Sequence, residues 1–502
     1  MHVGNLRTGL FAWLLARHED GKFILRLEDT DKNREVEGSA DHILQCLDML
    51  GLNRDEGVDI GGPYAPYKQS ERLDIYRQWA QKLIDAGRAY ADPYTAEEVQ
   101  KFRELAQAEK RPFLYRNHRP ENPPAWDGST PLRFKSEPKG YEWHDEVMGD
   151  LHSGAEVVDD FILIKSDGYP TYNFAHIVDD AEMQVTHVIR GQEFISSMPN
   201  YLNLYEALGF DLKSASSRSG DLSSTELTPS TPSGVTSEGD ETAGGSGEQK
   251  LVLPVFATMP HILNEQGNKK LGKRDGARDV LSYIEEGYLP ETMLSFIATL
   301  GWNDGTEQEI FTRDELVAKF SLDRVQHSGA RFDEKRLLWM NGQFIRQLSL
   351  DDLWNRVASF WPEEATDAND DFKRRVLALA QDRLKTLRDL PVLTSYFFTE
   401  PTPDWAMIDS NKQLAKLDRA RHIELLQATK SALESSEFSA EALQLTLNEL
   451  LEKTGEKPGS LFSLIRFAIT WAPFSPALPE TMEVLGRDRT LNRLQAAIDA
   501  SK

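Results

Sequence analysis

Leucines spaced four residues apart mark the beginning of the chain. Leu6, Leu10 and Leu14 fall on one face of a helix, because this spacing follows the helical period of about 3.6 residues. Gly21 is placed to end that helix at its C′ position, and residues 22–27 follow as a short apolar strand. A helix that leads into a strand, with a glycine near its start, predicts a doubly wound α/β sheet.

Strand character returns at residues 157–164 and 185–190, which are rich in β-branched and aliphatic side chains. Residues 69–170 mix helical and extended patterns with proline-rich breaks such as 120–124, which indicates an insertion within the α/β domain. Residues 213–250 consist mainly of Ser, Thr, Gly, Glu and Pro and contain no aromatic residue. Such a segment buries too little apolar surface to offset its ordering entropy, so we expect a disordered insert.

From about residue 331 to the end the pattern is helical throughout. Two apolar faces carry this prediction. The first consists of Val376, Ala380, Leu384, Leu387 and Leu390, and the second of Leu443, Leu447 and Leu450. Ser439 is placed as the N-cap of the second helix, and Gly455 as the residue that ends it. We therefore expect a helical C-terminal domain and not a β-barrel.

Length and composition add bounds to this picture. A chain of 502 residues predicts roughly two to four domains. Its N-terminus mixes charge into apolar positions, unlike a signal or transit peptide, and no apolar run approaches the roughly 18 residues of a membrane span. We therefore expect a cytoplasmic protein without a membrane partner. The single cysteine, Cys46, excludes an internal disulfide and a CxxC zinc site, so we expect a buried thiol and no zinc.

The net charge of −24 argues by itself against a nucleic-acid partner, because phosphate binding requires Lys and Arg. The local field at a contact surface matters more than the sum, however. Residues 101–119 are basic and interleaved with aromatics, a pattern that suits an RNA end. Considered alone, the segment is better interpreted as a solvated charged face.

Two short motifs bear on the chemistry. His2-Val3-Gly4-Asn5 stands at a helix start, and Lys270-Leu271-Gly272-Lys273 forms a basic, glycine-containing loop. Two lysines three residues apart can lie on one side of a triphosphate and neutralise charge that develops there. Each motif alone is better explained as a capped helix start or an exposed basic turn.

Together the two motifs resemble the signature motifs of class I aminoacyl-tRNA synthetases. Further segments, in the same order, are similar to the glutamyl and glutaminyl branch of that class. They are residues 23–31, 62–72, 168–175, 178–180, 187–191, 287–291, 300–302 and 337–341. The helical C-terminus resembles the anticodon-binding cage of bacterial-type glutamyl-tRNA synthetases, since glutaminyl enzymes carry β-barrels there. The resemblance covers nearly the whole chain except the insert.

The resemblance implies an α/β fold, with a Rossmann-like catalytic region over 1–330 and an all-α anticodon-binding domain over 331–502. The catalytic region is expected to comprise Rossmann-like halves at about 1–68 and 171–212, an inserted acceptor-binding domain at about 69–170, the disordered insert at 213–250, and a lysine-loop and stem-contact region at 251–330.

The implied reaction joins L-glutamate to tRNA(Glu) through a glutamyl-adenylate, with ATP and Mg²⁺. The catalytic residues carried over by resemblance are His2, Lys270 and Lys273. The ATP site would comprise His2, Gly4, Asn5, Glu193, Lys270, Gly272 and Lys273, and the glutamate site Glu28, Tyr172, His176 and Arg190. His176 is equally well interpreted as a core residue behind the pocket. Asp179 and Asp180 fit either a metal site or a turn that caps the next element.

Three points stay open at this stage. The family pattern Arg-x-Ala-Pro-Ser-Pro-Thr-Gly would precede His2, where this chain has only Met1, so we expect an N-terminally truncated form that binds glutamate poorly. A non-catalytic tRNA-binding paralogue is the main alternative; a glutamyl-queuosine-type tRNA-modifying enzyme is disfavoured because that family lacks an anticodon domain. The sequence does not decide between tRNA(Glu) alone and tRNA(Gln) in addition. The resemblance suggests a monomer.

Overall fold

The computed structural model describes residues 1–31, 38–212, 251–272, 278–472 and 474–501. The chain divides into two compact units. Unit A comprises Met1–Ala277 and Ile297–Phe332, and unit B comprises Arg278–Phe296 and Asp333–Lys502.

The first part of unit A alternates helices with short strands. The helices up to residue 212 are α1 (Val3–His18), α2 (Ser39–Met49), α3 (Leu73–Asp85), α4 (Ala96–Ala108), α5 (Tyr172–Glu182) and α6 (Met198–Ala207). The strands of the unit are β1 (Ile24–Leu25), β2 (Glu56–Gly57), β3 (Ala89–Ala91), β4 (Leu132–Phe134), β5 (Tyr141–Asp145), β6 (Gly149–Ser153), β7 (Ile162–Ile164), β8 (His187–Gly191), β9 (Phe210–Asp211), β10 (Leu251–Val252), β11 (Val255–Met259), β12 (Ile262–Leu263) and β13 (Ala330–Arg331).

Parallel pairing dominates the parts of unit A that flank the predicted insertion. Strand β8 pairs with β11 over five residues, from His187 opposite Val255 to Gly191 opposite Met259. The pairs β1–β2, β9–β10 and β12–β13 are also parallel. Parallel strands require crossover connections, and helices supply several of them, so the predicted α/β class is confirmed. By contrast, β3–β4–β7 and β5–β6 are antiparallel, and they lie within the predicted insertion.

The strand predicted at 157–164 is shorter than expected. Within this range only Ile162–Ile164 forms a strand, after a 3₁₀ turn at Ala155–Val157. The Asp159 carboxylate accepts hydrogen bonds from the backbone N–H groups of Tyr115 and Arg116, at 2.8 and 2.9 Å. A carboxylate that binds backbone donors 43 and 44 positions earlier holds the chain in a loop at that point, which a hydropathy pattern does not reveal.

Helix α1 has the predicted buried face, since Leu6, Leu10 and Leu14 are at most 1 % exposed. The prediction for its end was one residue late. The residue with left-handed backbone is Asp20, with a φ of 51°, and the N–H of the following Gly21 donates to Ala16 O at 2.7 Å. Aspartate is one of the few residues besides glycine that tolerate this conformation.

Two predictions drawn from composition can be compared with the structure. Cys46 is fully buried and forms no disulfide, as expected. Within the described residues, none of the helices combines the length and apolar character needed to cross a membrane.

The remaining helices are α7 (Val280–Glu285), α8 (Pro290–Ala298), α9 (Arg313–Lys319), α10 (Glu334–Gln347), α11 (Leu350–Arg356), α12 (Asp370–Ala380), α13 (Leu390–Phe398), α14 (Trp405–Asp409), α15 (Arg419–Glu434), α16 (Ala440–Thr454), α17 (Pro458–Thr470), α18 (Leu478–Leu485) and α19 (Arg487–Asp499). Unit B contains all of these except α9 and the end of α8. Its described residues include no strand, so the predicted helical C-terminus is confirmed.

The two apolar faces predicted in unit B have different outcomes. Helix α16 carries its buried leucines as predicted; Ser439 Oγ accepts from the N–H of Ala442, and Gly455 ends the helix with a φ of 67°. The first face is divided, because α12 ends at Ala380 and Leu384 has extended backbone. All five residues of that face are nevertheless buried, so burial was predicted correctly and helical continuity was not.

The basic segment 101–119 is not simply a solvated face. Phe102 stacks on His118 with ring centroids 4.3 Å apart. Arg119 donates two hydrogen bonds to the buried Asp160 carboxylate, at 2.7 and 2.6 Å. Part of the segment's positive charge is therefore used to hold the inserted region together.

Candidate active site

A cleft of about 310 Å³ lies where strands β8 and β11 end and helix α1 begins. Ligands in α/β proteins characteristically bind beyond the carboxyl ends of parallel strands. The cleft is lined by His2, Gly4, Asn5, Arg7, Thr8, Gly9, Ile189, Arg190, Gly191, Glu193, Phe194, Met259, Pro260, His261, Ile262, Lys270 and Leu271. It therefore brings together most of the predicted ATP residues with Arg190. Gly272 follows this lining, and Lys273 lies outside the described residues.

One wall of the cleft is the N-terminal end of α1. His2 caps the helix, because its Nδ1 accepts the N–H of Gly4 at 3.0 Å. A histidine nitrogen that accepts a hydrogen bond carries no proton, so Nε2 is the nitrogen that bears it. A Cβ at Gly4 would lie 3.4 Å from His2 Nδ1, in van der Waals contact with the capping ring. Imidazole N–H and helix N–H groups together form a typical binding site for phosphate.

The opposite wall carries Glu193, His261 and Lys270. Lys270 Nζ lies 3.6 Å from Glu193 Oε1, and His261 Nδ1 lies 3.8 Å from Glu193 Oε2. Gln192 Oε1 accepts the N–H of His261 at 3.0 Å and holds this segment in place. Burial and the nearby Lys270 ammonium lower the pKa of His261 despite Glu193, which favours the neutral imidazole. The positive charge of this wall therefore comes mainly from Lys270.

Arg190 closes the inner end of the cleft. It is 8 % exposed, and its guanidinium carbon lies 5.1 to 5.6 Å from the ring centroids of Phe194, Tyr201 and Phe256. Within the described part of the chain, no carboxylate lies within 4.0 Å of it. A buried guanidinium among aromatic rings without an anionic partner is suited to grip a carboxylate of a bound ligand.

A charged network holds Glu28 in place. Arg26 bridges Glu28 Oε1 at 3.0 Å, Asp180 Oδ1 at 2.9 Å and Asp179 Oδ2 at 3.6 Å. Asp179 also accepts from Arg72 Nε at 2.8 Å. Both aspartates lie inside α5, so the expectation of a capping turn was wrong. Their contacts support a positioning role for the pair, through Arg26.

Tyr172 and His176 stack on one another, with ring centroids 4.7 Å apart. His176 Nδ1 lies 2.7 Å from Tyr172 O, and burial lowers the pKa of its imidazole to about 3, so the ring is neutral. Tyr201 packs against its other side with a centroid distance of 4.8 Å. This environment agrees with a core residue behind Tyr172, and direct contact of His176 with glutamate stays a prediction.

Replacing Glu28 by Gln should stabilise the protein slightly at pH 8. Burial raises the pKa of Glu28 against the opposing effect of Arg26, so its contribution to stability is lost as pH rises through the folded-state pKa. Because 35 % of the side chain stays exposed, we expect a gain of only about 1–3 °C in Tm at pH 8. The gain should vanish in acid, below the unfolded pKa, where Glu28 is protonated in both states.

Thermal unfolding across a pH series measures this effect. The exposed Glu121→Gln variant serves as the control and should show no such pH-dependent difference from the wild type. A lower Tm for Glu28→Gln at pH 8 would show that the Arg26 contact outweighs the burial of the carboxyl.

Arg7 and His261 were not among the predicted site residues, although both line the cleft. Arg7 is flanked by Leu6 and Thr8, and this local sequence did not mark it as a buried residue. His261 comes two residues after β11, where the strand-end rule would have indicated it.

Comparison with known proteins shows similarity over nearly the whole chain. Residues 1–224 and 249–339 match the family described as tRNA synthetases class I (E and Q), catalytic domain, and residues 352–498 match the anticodon binding domain family. A glutamate–tRNA ligase of Dehalococcoides mccartyi is 37 % identical over 506 residues, which cover 99 % of this chain and 94 % of the relative. One of Clostridium botulinum is 36 % identical over 513 residues, which cover 100 % and 96 %.

A solved structure shows that the similarity extends to the three-dimensional fold. The crystal structure of a glutamate tRNA ligase from Elizabethkingia meningosepticum, in complex with its amino acid, has a TM-score of 0.82 and 30 % sequence identity. The match covers 100 % of this chain and 97 % of that chain.

Proposed function

Because the chain belongs to the glutamate–tRNA ligases of the class I aminoacyl-tRNA synthetases, we propose that the cleft between His2 and Lys270 is its ATP site and that Arg190 anchors glutamate. The enzyme joins glutamate to tRNA. We assign the catalytic region to 1–330 and the anticodon-binding domain to 331–502. The observation that carries the site assignment is the convergence of His2, Lys270 and Arg190 on one cleft.

In the first step an oxygen of the glutamate α-carboxylate attacks the α-phosphorus of ATP, and pyrophosphate leaves. Negative charge on the phosphate oxygens shifts during this step, so fixed donors and cations supply most of the catalysis. His2 Nε2–H and the first N–H groups of α1 donate from one wall, and the Lys270 ammonium neutralises charge from the other. Lys273 is proposed to act beside Lys270, and Gly4 and Asn5 to border the adenosine.

Magnesium that accompanies ATP would be held here by the phosphates and by Glu193, and it would neutralise part of the phosphate charge. Mg²⁺ is usually held by one or two carboxylates together with substrate phosphates. Glu193 is the carboxylate within the lining of the cleft, so the donor set fits such an ion. The same residue is also placed to contact the ribose.

Glutamate recognition follows from the charges around Arg190. The guanidinium pairs with a substrate carboxylate, and Glu28 accepts hydrogen bonds from the substrate ammonium group. Burial and the nearby Glu28 carboxylate raise the pKa of Tyr172, so Tyr172 and Glu28 belong to the same pocket. Tyr172 then forms a wall of the pocket, with His176 behind it.

In the second step a ribose hydroxyl of the terminal adenosine of tRNA attacks the glutamyl carbonyl, and AMP leaves. Unit B provides a surface for the tRNA. Arg466 is half-buried, and burial and the nearby Arg383 lower its pKa. Its Nε donates to Ser475 Oγ at 2.7 Å, while the described residues provide no carboxylate within 4.0 Å. Two neighbouring guanidinium groups without an anion are suited to a nucleic-acid phosphate or base edge.

Arg466→Ala should raise the KM for tRNA about tenfold and leave the KM for ATP nearly unchanged. Aminoacylation at varied tRNA concentration measures the effect. Arg419, which pairs with Asp409 at 2.7 Å, provides the control, and its Ala variant should change the KM for tRNA less than about threefold. Equal effects of the two variants would exclude a specific tRNA contact by Arg466.

Charging of separately purified tRNA(Glu) and tRNA(Gln) tests the finer assignment. We propose that the protein acts as a cytoplasmic monomer on tRNA(Glu), and each glutamate attached should release one AMP. If glutamate were also attached to tRNA(Gln), that tRNA would be a second substrate. Binding of tRNA without AMP release would favour the non-catalytic alternative, against which the retained His2, Lys270 and Arg190 argue.

A further inference from the structure

Arg7 joins three separate segments of unit A at the floor of the cleft. It lies on α1, one turn beyond His2, and is 4 % exposed. Nη1 donates to Leu300 O at 3.1 Å, and Nη2 donates to Pro260 O. Pro260 follows the end of β11, so a single guanidinium connects the start of α1 to the segment that leads toward Lys270.

The charge of Arg7 has no close counter-ion in the parts of the chain described. Both bonds go to neutral carbonyl oxygens, and no carboxylate lies within 4.0 Å. Burial lowers its pKa to about 10, with Glu193 opposing the shift, so the guanidinium is charged at neutral pH. Its Nε is also buried and has no hydrogen-bond partner among the described residues. A buried charge held only by carbonyls is unfavourable unless an anion approaches, and this one lines the cleft.

The neighbouring contacts show how the distance between the His2 wall and the Lys270 wall of the cleft is set. Leu271 N–H donates to Ile262 O at 2.8 Å, and Lys270 forms a bridge with Leu263. The residues that follow Pro260 therefore determine the position of the Lys270 segment. Helix α1 determines the position of His2. Arg7 connects these two supports, which stand on opposite sides of the cleft.

We propose that Arg7 is a positioning residue of the ATP site, which fixes the separation between the phosphate-binding end of α1 and the segment that carries Lys270. This inference rests on the proposed function of the cleft. The triphosphate of ATP supplies the negative charge that the buried guanidinium lacks. Glutamate binds at Arg190 and Glu28, so loss of Arg7 affects ATP far more than glutamate.

Two substitutions distinguish the effect of the Arg7 charge from the effect of its two hydrogen bonds to carbonyl groups. Arg7→Met removes the charge and both carbonyl bonds, whereas Arg7→Lys keeps the charge but reaches one carbonyl at most. In tRNA charging at saturating tRNA, Arg7→Met should raise the KM for ATP about tenfold or more, with Arg7→Lys in between. The KM for glutamate should stay within about twofold of the wild type for both.

Arg487 provides a matched control for the loss of carbonyl bonds. Its Nη1 donates to Leu433 O and Glu434 O, and its Nη2 to Ser436 O, within unit B. Arg487→Met should lower Tm without changing the KM for ATP. If Arg7→Met does not fold, the KM for ATP of Arg7→Lys against this control decides the matter.

Three results would overturn the proposal while the wild type still charges tRNA with glutamate. One is a KM for ATP within about twofold of the wild type in both Arg7 variants. Another is a parallel rise in the KM for ATP and for glutamate. The third is full recovery by Arg7→Lys, because an ammonium keeps the charge without the two bonds. A wild type that does not charge tRNA would instead contradict the proposed function.

Discussion

Replacement of Arg190 by Gln is expected to raise the KM for glutamate about a hundredfold or more, which corresponds to a loss of about 3 kcal/mol of binding. Arg190 is 8 % exposed and lies among three aromatic rings. A substrate carboxylate that enters this pocket loses its water. Without the guanidinium it is left unpaired, and the penalty for a desolvated, unpaired charge is large. Steady-state charging at varied glutamate concentration measures the change.

The KM for ATP provides the internal comparison for this variant, and it should change by no more than about threefold. Arg17→Gln is the matched substitution, because Arg17 pairs with Asp55 at 2.7 Å at the far end of α1. It should leave the KM for glutamate unaltered. If Arg190→Gln kept a normal KM for glutamate, the carboxylate would have to be held elsewhere.

Replacement of Lys270 by Met is expected to lower kcat by about 10²- to 10³-fold, the range found when a donor to a charge-bearing transition state is removed. The resting ion pair of Lys270 with Glu193 spans 3.6 Å, and the two side chains are 56 % and 50 % exposed. Such exposed pairs contribute little, so Lys270 can leave Glu193 for the phosphates at small cost. The lost catalysis should therefore appear in kcat, measured at saturating ATP, glutamate and tRNA.

Lys269→Met provides the control for Lys270, since the two lysines are adjacent and both exposed. It should reduce kcat by less than about threefold. Equal losses in the two variants would mean that the general positive charge of the loop, and not the position of Lys270, assists the reaction.

Local patterns predicted the fold well where a single physical requirement dominates. The buried leucines of α1 and α16 follow from helical periodicity, and the cap at Ser439 follows from the chemistry of its hydroxyl. Predictions failed where a distant group sets the backbone. The strand expected from residue 157 is interrupted because Asp159 binds the N–H groups of Tyr115 and Arg116, and no short-range pattern contains that information.

The site shows the same division between local and long-range information. His2 and Lys270 were found because motifs of their type occur in a known order along the chain, and the fold brings both to one cleft. Arg7 was not predicted because its partners, Pro260 and Leu300, are more than 250 positions away in the sequence. Likewise, the role of Asp180 depends on Arg26, which lies 154 residues earlier.

Exchange of labelled pyrophosphate into ATP, measured with tRNA present and with glutamate or glutamine as the amino acid, tests the central claim most directly. The assignment of the cleft predicts exchange that requires glutamate, fails with glutamine and falls sharply in Lys270→Met. Exchange that persists unchanged in Lys270→Met, or its absence in a folded wild type that still binds tRNA, would contradict the assignment of this cleft as the site of glutamyl-adenylate formation.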